Sequence, residues 1–222
     1  MNNYIFEKVS NTTRHFDFGG IEVSQIDELP EGFNLKTILK TIDKNLPPSY
    51  FKGVKKIQIE NDPDFERRGV NALYRDGVFI ISPDQDNVND LIDDIVHEFA
   101  HHVETLYPEE IYSDHRLINE FLKKRQELKF ELQSEGYWVN EYDFDELRYD
   151  EKFDLFLYKR VGRNMLRMMT TGLFVRPYAA VSLREYFATG FEAYYLGKQK
   201  TLEKISPMLY DKINELHHYN EY

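Results

Sequence analysis

Apolar and polar residues alternate in several short runs of the first 85 residues, and this alternation is the pattern of half-buried strands. Residues 15–18, 21–23 and 56–60 show it, whereas 72–74 and 78–81 are short continuous apolar runs. Gly19-Gly20 and Asp76-Gly77 separate two pairs of these runs, as the turn residues of hairpins do. The amino-terminal part of the chain is therefore predicted to form a small mixed sheet.

Other segments repeat their apolar residues at helical spacing. One helix is predicted from Leu35 to Ile42, before Pro47-Pro48, and a longer one along the apolar stripe from Leu91 to Val103. Further helices are predicted at residues 114–135, 150–171, 182–197 and 200–217. The expected fold class is α+β, with helices dominating the second half of the chain.

The longest stripe contains the segment His97-Glu98-Phe99-Ala100-His101. Two histidines four residues apart on a helix project from one face and can reach a single ion. Glu98 is turned about 100° away from His97, so it can touch water bound to that ion without being a ligand. An HExxH segment on a helix is typical of zinc-dependent hydrolases, with the glutamate as general base. His102 is interpreted as a neighbour of the site or an exposed residue.

A catalytic zinc site needs a third protein ligand and one open position for water. Glu104 and Tyr107 occupy the positions where the extended metzincin motif requires glycine and histidine, so that arrangement is excluded. The remaining common arrangement uses a glutamate from a later helix, and the helix that Ser182 is predicted to cap offers Glu185 and Glu192. Glu104 is a further candidate, although it lies on the same helix as the histidines.

These segments resemble the catalytic domain of anthrax lethal factor and its relatives, which include the secreted Pro-Pro endopeptidases of clostridia. In that family the HExxH helix is followed by a helix that begins Glu-[Phe/Tyr]-Phe-Ala-x-x-Phe, and a tyrosine precedes its glutamate by seven residues. This chain has Glu185-Tyr186-Phe187-Ala188-Thr189-Gly190-Phe191, and Tyr178 lies seven residues before Glu185. The resemblance favours Glu185 as the third ligand.

The resemblance implies a zincin-like fold in which His97, His101 and Glu185 bind Zn²⁺. It also implies that Glu98 is the general base and that Tyr178 stabilises the transition state. One difference is Thr189, because the family often has an acidic residue four positions after the ligand glutamate. A second is the interval of 84 residues between His101 and Glu185, which is longer than in the compact family members.

The expected organisation is a single zincin-like catalytic domain over residues 1–222. Its amino-terminal lobe would span residues 1–105 and include the HExxH helix, and its helical carboxy-terminal lobe would span residues 106–222. The sequence contains no cysteine, so any metal site must use histidines and carboxylates.

The composition indicates what kind of partner to expect. A formal net charge of −11 argues against nucleic acid, so the expected partner is a peptide or protein substrate, with basic or neutral peptides preferred. No apolar run is long enough to span a membrane, and the chain start lacks the pattern of a signal peptide. A cytoplasmic location is the default expectation, and a secreted form whose signal has been removed would have the same sequence.

The leading hypothesis is a zinc-dependent metalloendopeptidase of the gluzincin type. The alternative is a catalytically idle zincin fold that serves as a binding or toxin-related interaction protein, motivated by Thr189 and the long interval. An exopeptidase is a third hypothesis, for which no amine-anchoring motif is evident.

Overall fold

The computed structural model describes residues 14–219, and the fold within them is α+β. Its strands are β1 (Arg14–Phe18), β2 (Ile21–Gln25), β3 (Lys56–Ile59), β4 (Ala72–Arg75) and β5 (Val78–Ile81). They form one mixed sheet in the order β1-β2-β3-β5-β4, with parallel pairs in the middle and an antiparallel hairpin at each edge. The predicted sheet and both predicted hairpins are confirmed.

Turn chemistry explains the β4–β5 hairpin. Asp76 and Gly77 both have positive φ, of 49° and 86°, which is the conformation that a two-residue hairpin turn requires. Gly77 is also needed for space, because a Cβ atom there would lie 2.6 Å from the carbonyl oxygen of Gly53. The hairpin therefore depends on a glycine for two separate reasons.

The helices that lead up to the long middle segment are α1 (Leu35–Asn45), α2 (Pro63–Arg68), α3 (Val88–Leu106), α4 (Pro108–Tyr112) and α5 (Arg116–Ser134). The later ones are α6 (Glu151–Leu155), α7 (Arg163–Thr170), α8 (Leu183–Tyr195), α9 (Gln199–Ile205) and α10 (Pro207–Tyr219). Short 3-10 helices lie at Pro48–Phe51 and Pro177–Ala180, and a π-helix at Phe156–Gly162 joins α6 to α7.

Two predicted helices are interrupted in the structure, and each has a local cause. The helix predicted over residues 150–171 is interrupted at Gly162, the last residue of the π-helix, whose φ of 83° and ψ of 153° lie outside the helical region. The helix predicted over residues 200–217 is broken at Ser206, because Pro207 has no N–H with which to continue the preceding helix. The short helices α2 and α4 were not predicted, since each is too brief to show a period.

The chain forms two compact units. One comprises the residues up to Lys40 together with Gly53–Ile95, and the other comprises Thr41–Lys52 together with the residues from Val96 onward. The first unit contains the sheet. The second contains α4 to α10 and all the predicted site residues. The proposed division into lobes at residue 105 stays a prediction.

Helix α8 is the buried centre of the second unit. Eleven of its 13 residues are buried, and its neighbours include α5, α9, α10 and the 3-10 helix Pro177–Ala180. The hydroxyl of Tyr186 donates to Glu120 on α5 at 2.6 Å, and Glu120 also accepts the N–H groups of Met208 and Leu209 at the start of α10. One carboxylate thus ties three helices together.

Gly190 lets α10 approach α8 closely. A Cβ atom at Gly190 would lie 2.3 Å from Cδ2 and 2.6 Å from Cγ of Leu209, so the whole Leu209 side chain would have to move. In the residues that the structure describes, no helix has both the length and the apolarity needed to cross a bilayer.

We expect Gly190→Ala to lower the free energy of unfolding by about 1–3 kcal/mol, because overpacking against Leu209 outweighs the gain in helix propensity. Urea denaturation would measure the effect. In a Leu209→Ala background the same change should instead stabilise the protein, by up to about 1 kcal/mol. A destabilisation of equal size in both backgrounds would contradict this explanation.

Candidate metal centre

Helix α3 places two histidines and a glutamate side by side. Its buried stripe, with Phe99, Ala100 and Val103 fully enclosed, sets the rotation of the helix. The rings of His97 and His101 then lie one turn apart, with centroids 4.7 Å from each other and planes at 87°. The ligand atoms of His97, Glu98 and His101 all lie within 4.8 Å of one another, so this group can hold a metal ion.

Helix α8 brings Glu185 to the same place. Ser182 caps the helix by accepting the backbone N–H of Glu185 at 3.2 Å, which fixes the first turn. The Glu185 carboxylate lies between the two imidazoles, with Oε2 3.0 Å from Nε2 of His97 and Oε1 3.7 Å from Nε2 of His101. Glu185 is 8% exposed, so its charge depends on these partners.

The Glu185 carboxylate meets the two imidazoles through different oxygens, Oε2 for His97 and Oε1 for His101. Two imidazole nitrogens and one carboxylate, with a fourth position for water, are a usual donor set of catalytic zinc. The chemical types of these donors, in His97, His101 and Glu185, are therefore ones that Zn²⁺ accepts.

Glu192 lies on the opposite side of His97. Its Oε1 is 2.5 Å from Nδ1 of His97, while its Oε2 pairs with Nη1 of Arg176 at 2.8 Å. A histidine that binds metal through Nε2 carries its proton on Nδ1, and a carboxylate there fixes the ring and raises its basicity. Glu192, 3% exposed, lies where such a supporting carboxylate would lie, at the ring nitrogen opposite to the one that Glu185 faces.

Thr189 does not have this role, since its hydroxyl donates to the backbone carbonyl of Tyr186 at 3.2 Å. The acid that faces His97 thus comes seven residues after Glu185, whereas the family often has it four residues after. Both spacings return to one side of a helix. From the sequence, Glu192 was predicted only as a competing ligand. Its spacing of two helical turns from Glu185 was the signal that both carboxylates lie on the same side of α8.

His101 has a different environment at Nδ1. Arg184 donates its Nε–H to this nitrogen at 3.0 Å, and Oε2 of Glu104 lies 3.9 Å away from it. Glu104 also pairs with Arg184 at 3.3 Å and accepts the hydroxyl proton of Tyr112. Burial raises the pKa of Glu104, opposed by Tyr112 and Arg184. Glu104 belongs to the surroundings of His101 and not to the predicted ligand set.

Tyr178 lies in the 3-10 helix Pro177–Ala180 that leads into α8, and it is half-buried. Buried Arg125 supports this segment by donating to the carbonyls of Ala180 and Val181 at 3.0 and 3.2 Å. The proposed contact of the Tyr178 hydroxyl with a reacting group stays a prediction.

His102 is buried, and Nε2 lies 3.0 Å from the carbonyl oxygen of Lys52. Burial lowers its pKa despite this contact. Its surroundings give it a packing role beside the site.

The charged groups of the site form a buried ion-pair network. Burial opposes a charge on His97, yet the hydrogen bonds and charges of Glu185 and Glu192 raise the pKa of its imidazole well above the ordinary value. Burial likewise opposes ionisation of Glu185, but His101, His97 and Arg184 lower the pKa of that carboxyl to about 2. The two carboxylates thus favour the protonated form of His97, and a metal that binds this ring must compete with the proton.

Comparison of the chain with protein-family models, curated proteins and solved structures gave no match in any of the three. Inferences about this site therefore come from its own residues and from the motif resemblance.

We expect Glu192→Gln to weaken zinc binding by about 10–100-fold, because the amide no longer provides the negative charge that supports His97. Competition with a chromophoric chelator would measure the affinity. Thr189→Ala is the matched control on the same helix and should change the affinity little. Equal losses in both variants would show a general disturbance of α8.

Zinc affinity should also depend on pH. At pH values below the raised pKa of His97, a metal that binds this ring displaces a proton. The apparent affinity should therefore fall about tenfold, for each proton displaced, with every unit by which the pH is lowered. Calorimetry in buffers of different ionisation enthalpy would count the protons released. Glu192→Gln, which removes one of the two carboxylates, should release fewer. Zinc binding without proton release would contradict this account.

Proposed function

We propose that this protein is a zinc-dependent metalloendopeptidase of the gluzincin type, with His97, His101 and Glu185 as the metal ligands. The observation that carries the proposal is the position of the Glu185 carboxylate, which faces Nε2 of both histidines although it comes from a separate helix. If His97 and His101 were incidental residues of an amphipathic helix, there would be no reason for a buried carboxylate from another helix to lie against both of them. The resemblance to the lethal-factor catalytic domain names the same residues.

A zinc ion held by these ligands would act as a Lewis acid on a carbonyl group and lower the pKa of water toward neutrality. The chain's own residues then have separate tasks. Glu98, beside the two histidines and 4% exposed, would accept a proton from the attacking water and pass it to the leaving amine nitrogen. No covalent bond between enzyme and substrate is needed.

Tyr178 would donate a hydrogen bond to the oxygen that becomes negative when the peptide carbonyl is attacked. The support for this role is the fixed position of the segment that contains Tyr178. Arg125 donates to the carbonyls of Ala180 and Val181, and α8 begins shortly afterwards. Glu192, anchored by Arg176, would keep the His97 ring in its binding orientation. The proposed substrate is thus a peptide or protein.

The proposal is tested with a diverse peptide library, incubated with the zinc-loaded protein and analysed by mass spectrometry. We expect internal cuts that are lost in Glu98→Gln, which should retain zinc because Glu98 is not a ligand; the loss should be at least about 100-fold. Zinc content of both proteins is measured in parallel.

Three results would contradict the proposal. Cuts that persist in Glu98→Gln would come from another enzyme or another mechanism. Cuts confined to free amino termini would indicate an exopeptidase. A zinc-loaded protein that makes no cuts would favour the alternative of a binding module.

A further inference from the structure

An acid-free segment leads up to the metal centre. Acidic residues make up 39 of the 222 positions, yet none occurs in the 30 residues from Leu155 to Arg184. The same segment contains six cationic residues, which are Lys159, Arg160, Arg163, Arg167, Arg176 and Arg184. A chain with a net charge of −11 therefore has one strongly positive stretch, and Glu185 follows it directly.

Four of these cations form what we call the basic surface: Lys159, Arg160, Arg163 and Arg167. All four are exposed, two on the π-helix Phe156–Gly162 and two on α7. Arg163 lies over the ring of Tyr158 at 5.5 Å, but none of the four pairs with a carboxylate of residues 14–219. The surface thus has positive charge that the described part of the chain does not neutralise.

Unpaired cations also occur elsewhere in the described part of the second unit, for example Lys198 and Lys200, but other cations there have carboxylate partners. Arg116 contacts Asp114 and Glu215 at 2.8 Å, and buried Lys212 contacts Asp114 at 2.7 Å. What distinguishes the basic surface is that no acidic residue occurs anywhere in its segment.

The same segment provides part of the metal centre. Arg176 pairs with Glu192 and Arg184 with Glu104, so the charges of these two arginines are already balanced by acids beside the histidines. Helix α7 packs against the 3-10 helix Pro177–Ala180, which in turn packs against α8. The basic surface is therefore joined through contacting elements to the helix that bears Glu185.

We propose that the basic surface binds acidic side chains of the substrate, so that the peptidase selects peptides with aspartate or glutamate near the bond it cuts. This inference rests on the proposed function and replaces the earlier expectation of basic or neutral peptides. An acidic peptide needs only a local positive surface, whereas an extended polyanion such as nucleic acid would also meet the negative remainder of the protein. Each exposed pair contributes little alone, so the selection is a sum over several charges and weakens with salt.

The test compares two charge reversals of equal size in the zinc-loaded protein. Arg163→Glu/Arg167→Glu alters the basic surface, and Lys198→Glu/Lys200→Glu is the control at exposed positions beside and within α9. Circular dichroism and zinc content establish that both variants are folded and loaded. Peptides cut by the wild type are resynthesised with their acidic residues replaced by amides, and KM and kcat are measured for each pair.

We expect wild-type cuts to concentrate in peptides with acidic residues around the cut site. The reversal on α7 should raise KM for the acidic peptides about tenfold and leave kcat nearly unchanged, while the control should retain the wild-type KM. The preference should shrink as ionic strength rises. Cuts without acidic enrichment, or equal KM changes in both variants, would overturn the inference while the peptidase activity itself stands.

If no cut depends on Glu98, the proposed function fails, and the basic surface is tested separately by binding. A fluorescein-labelled oligoglutamate peptide is titrated with the wild type and both reversal variants, and a labelled single-stranded oligonucleotide serves as a second probe. Peptide binding that is lost only in Arg163→Glu/Arg167→Glu supports an acidic-peptide surface. Absence of peptide binding, or preference for the oligonucleotide, overturns it.

Discussion

The candidate site depends on the burial of two carboxylates on one helix. Helix α8 is enclosed along almost its whole length, so Glu185 and Glu192 cannot keep their charges by contact with bulk water. Both are placed against His97, one at each ring nitrogen, and each has one further cationic or titratable partner. Removing one member of such a network leaves an uncompensated buried charge, which costs about 3–5 kcal/mol. The position of α8 relative to His97 is therefore tightly constrained.

Further buried polar groups hold the elements around α8 in place. Arg125 is 1% exposed, stacks on Phe153 at 4.1 Å and donates to three backbone carbonyls, which are those of Asp143, Ala180 and Val181. Burial lowers the pKa of its guanidinium to about 10, opposed by nearby acids. Glu120 tethers α5, α8 and α10 in a similar way. The second unit thus combines an apolar core with a few polar ties that fix where α8 begins and what it contacts.

Much of the architecture could be predicted because its signals are local. The first hairpin follows from alternation around Gly19-Gly20, the second from two apolar runs around Asp76-Gly77, and α3 from its apolar stripe. Gly162 and Pro207 mark the two breaks in the sequence. The apolar residues on either side of each were nevertheless interpreted as one continuous helix, so the breaks were not predicted. Helices α2 and α4 have too few residues for any periodic signal, so only their proline at the first position marks them.

The sequence by itself determined the chemical types at the site: HExxH on an amphipathic helix, a capped downstream glutamate and the absence of thiols. These follow from spacing along a single helix, where geometry is set by the backbone. Only the tertiary structure shows which imidazole nitrogen each of Glu104, Glu185 and Glu192 lies against, because these carboxylates and rings meet through packing between separate elements. The partners of Arg176 and Arg184 likewise depend on contacts between residues distant in the chain, which no local pattern encodes.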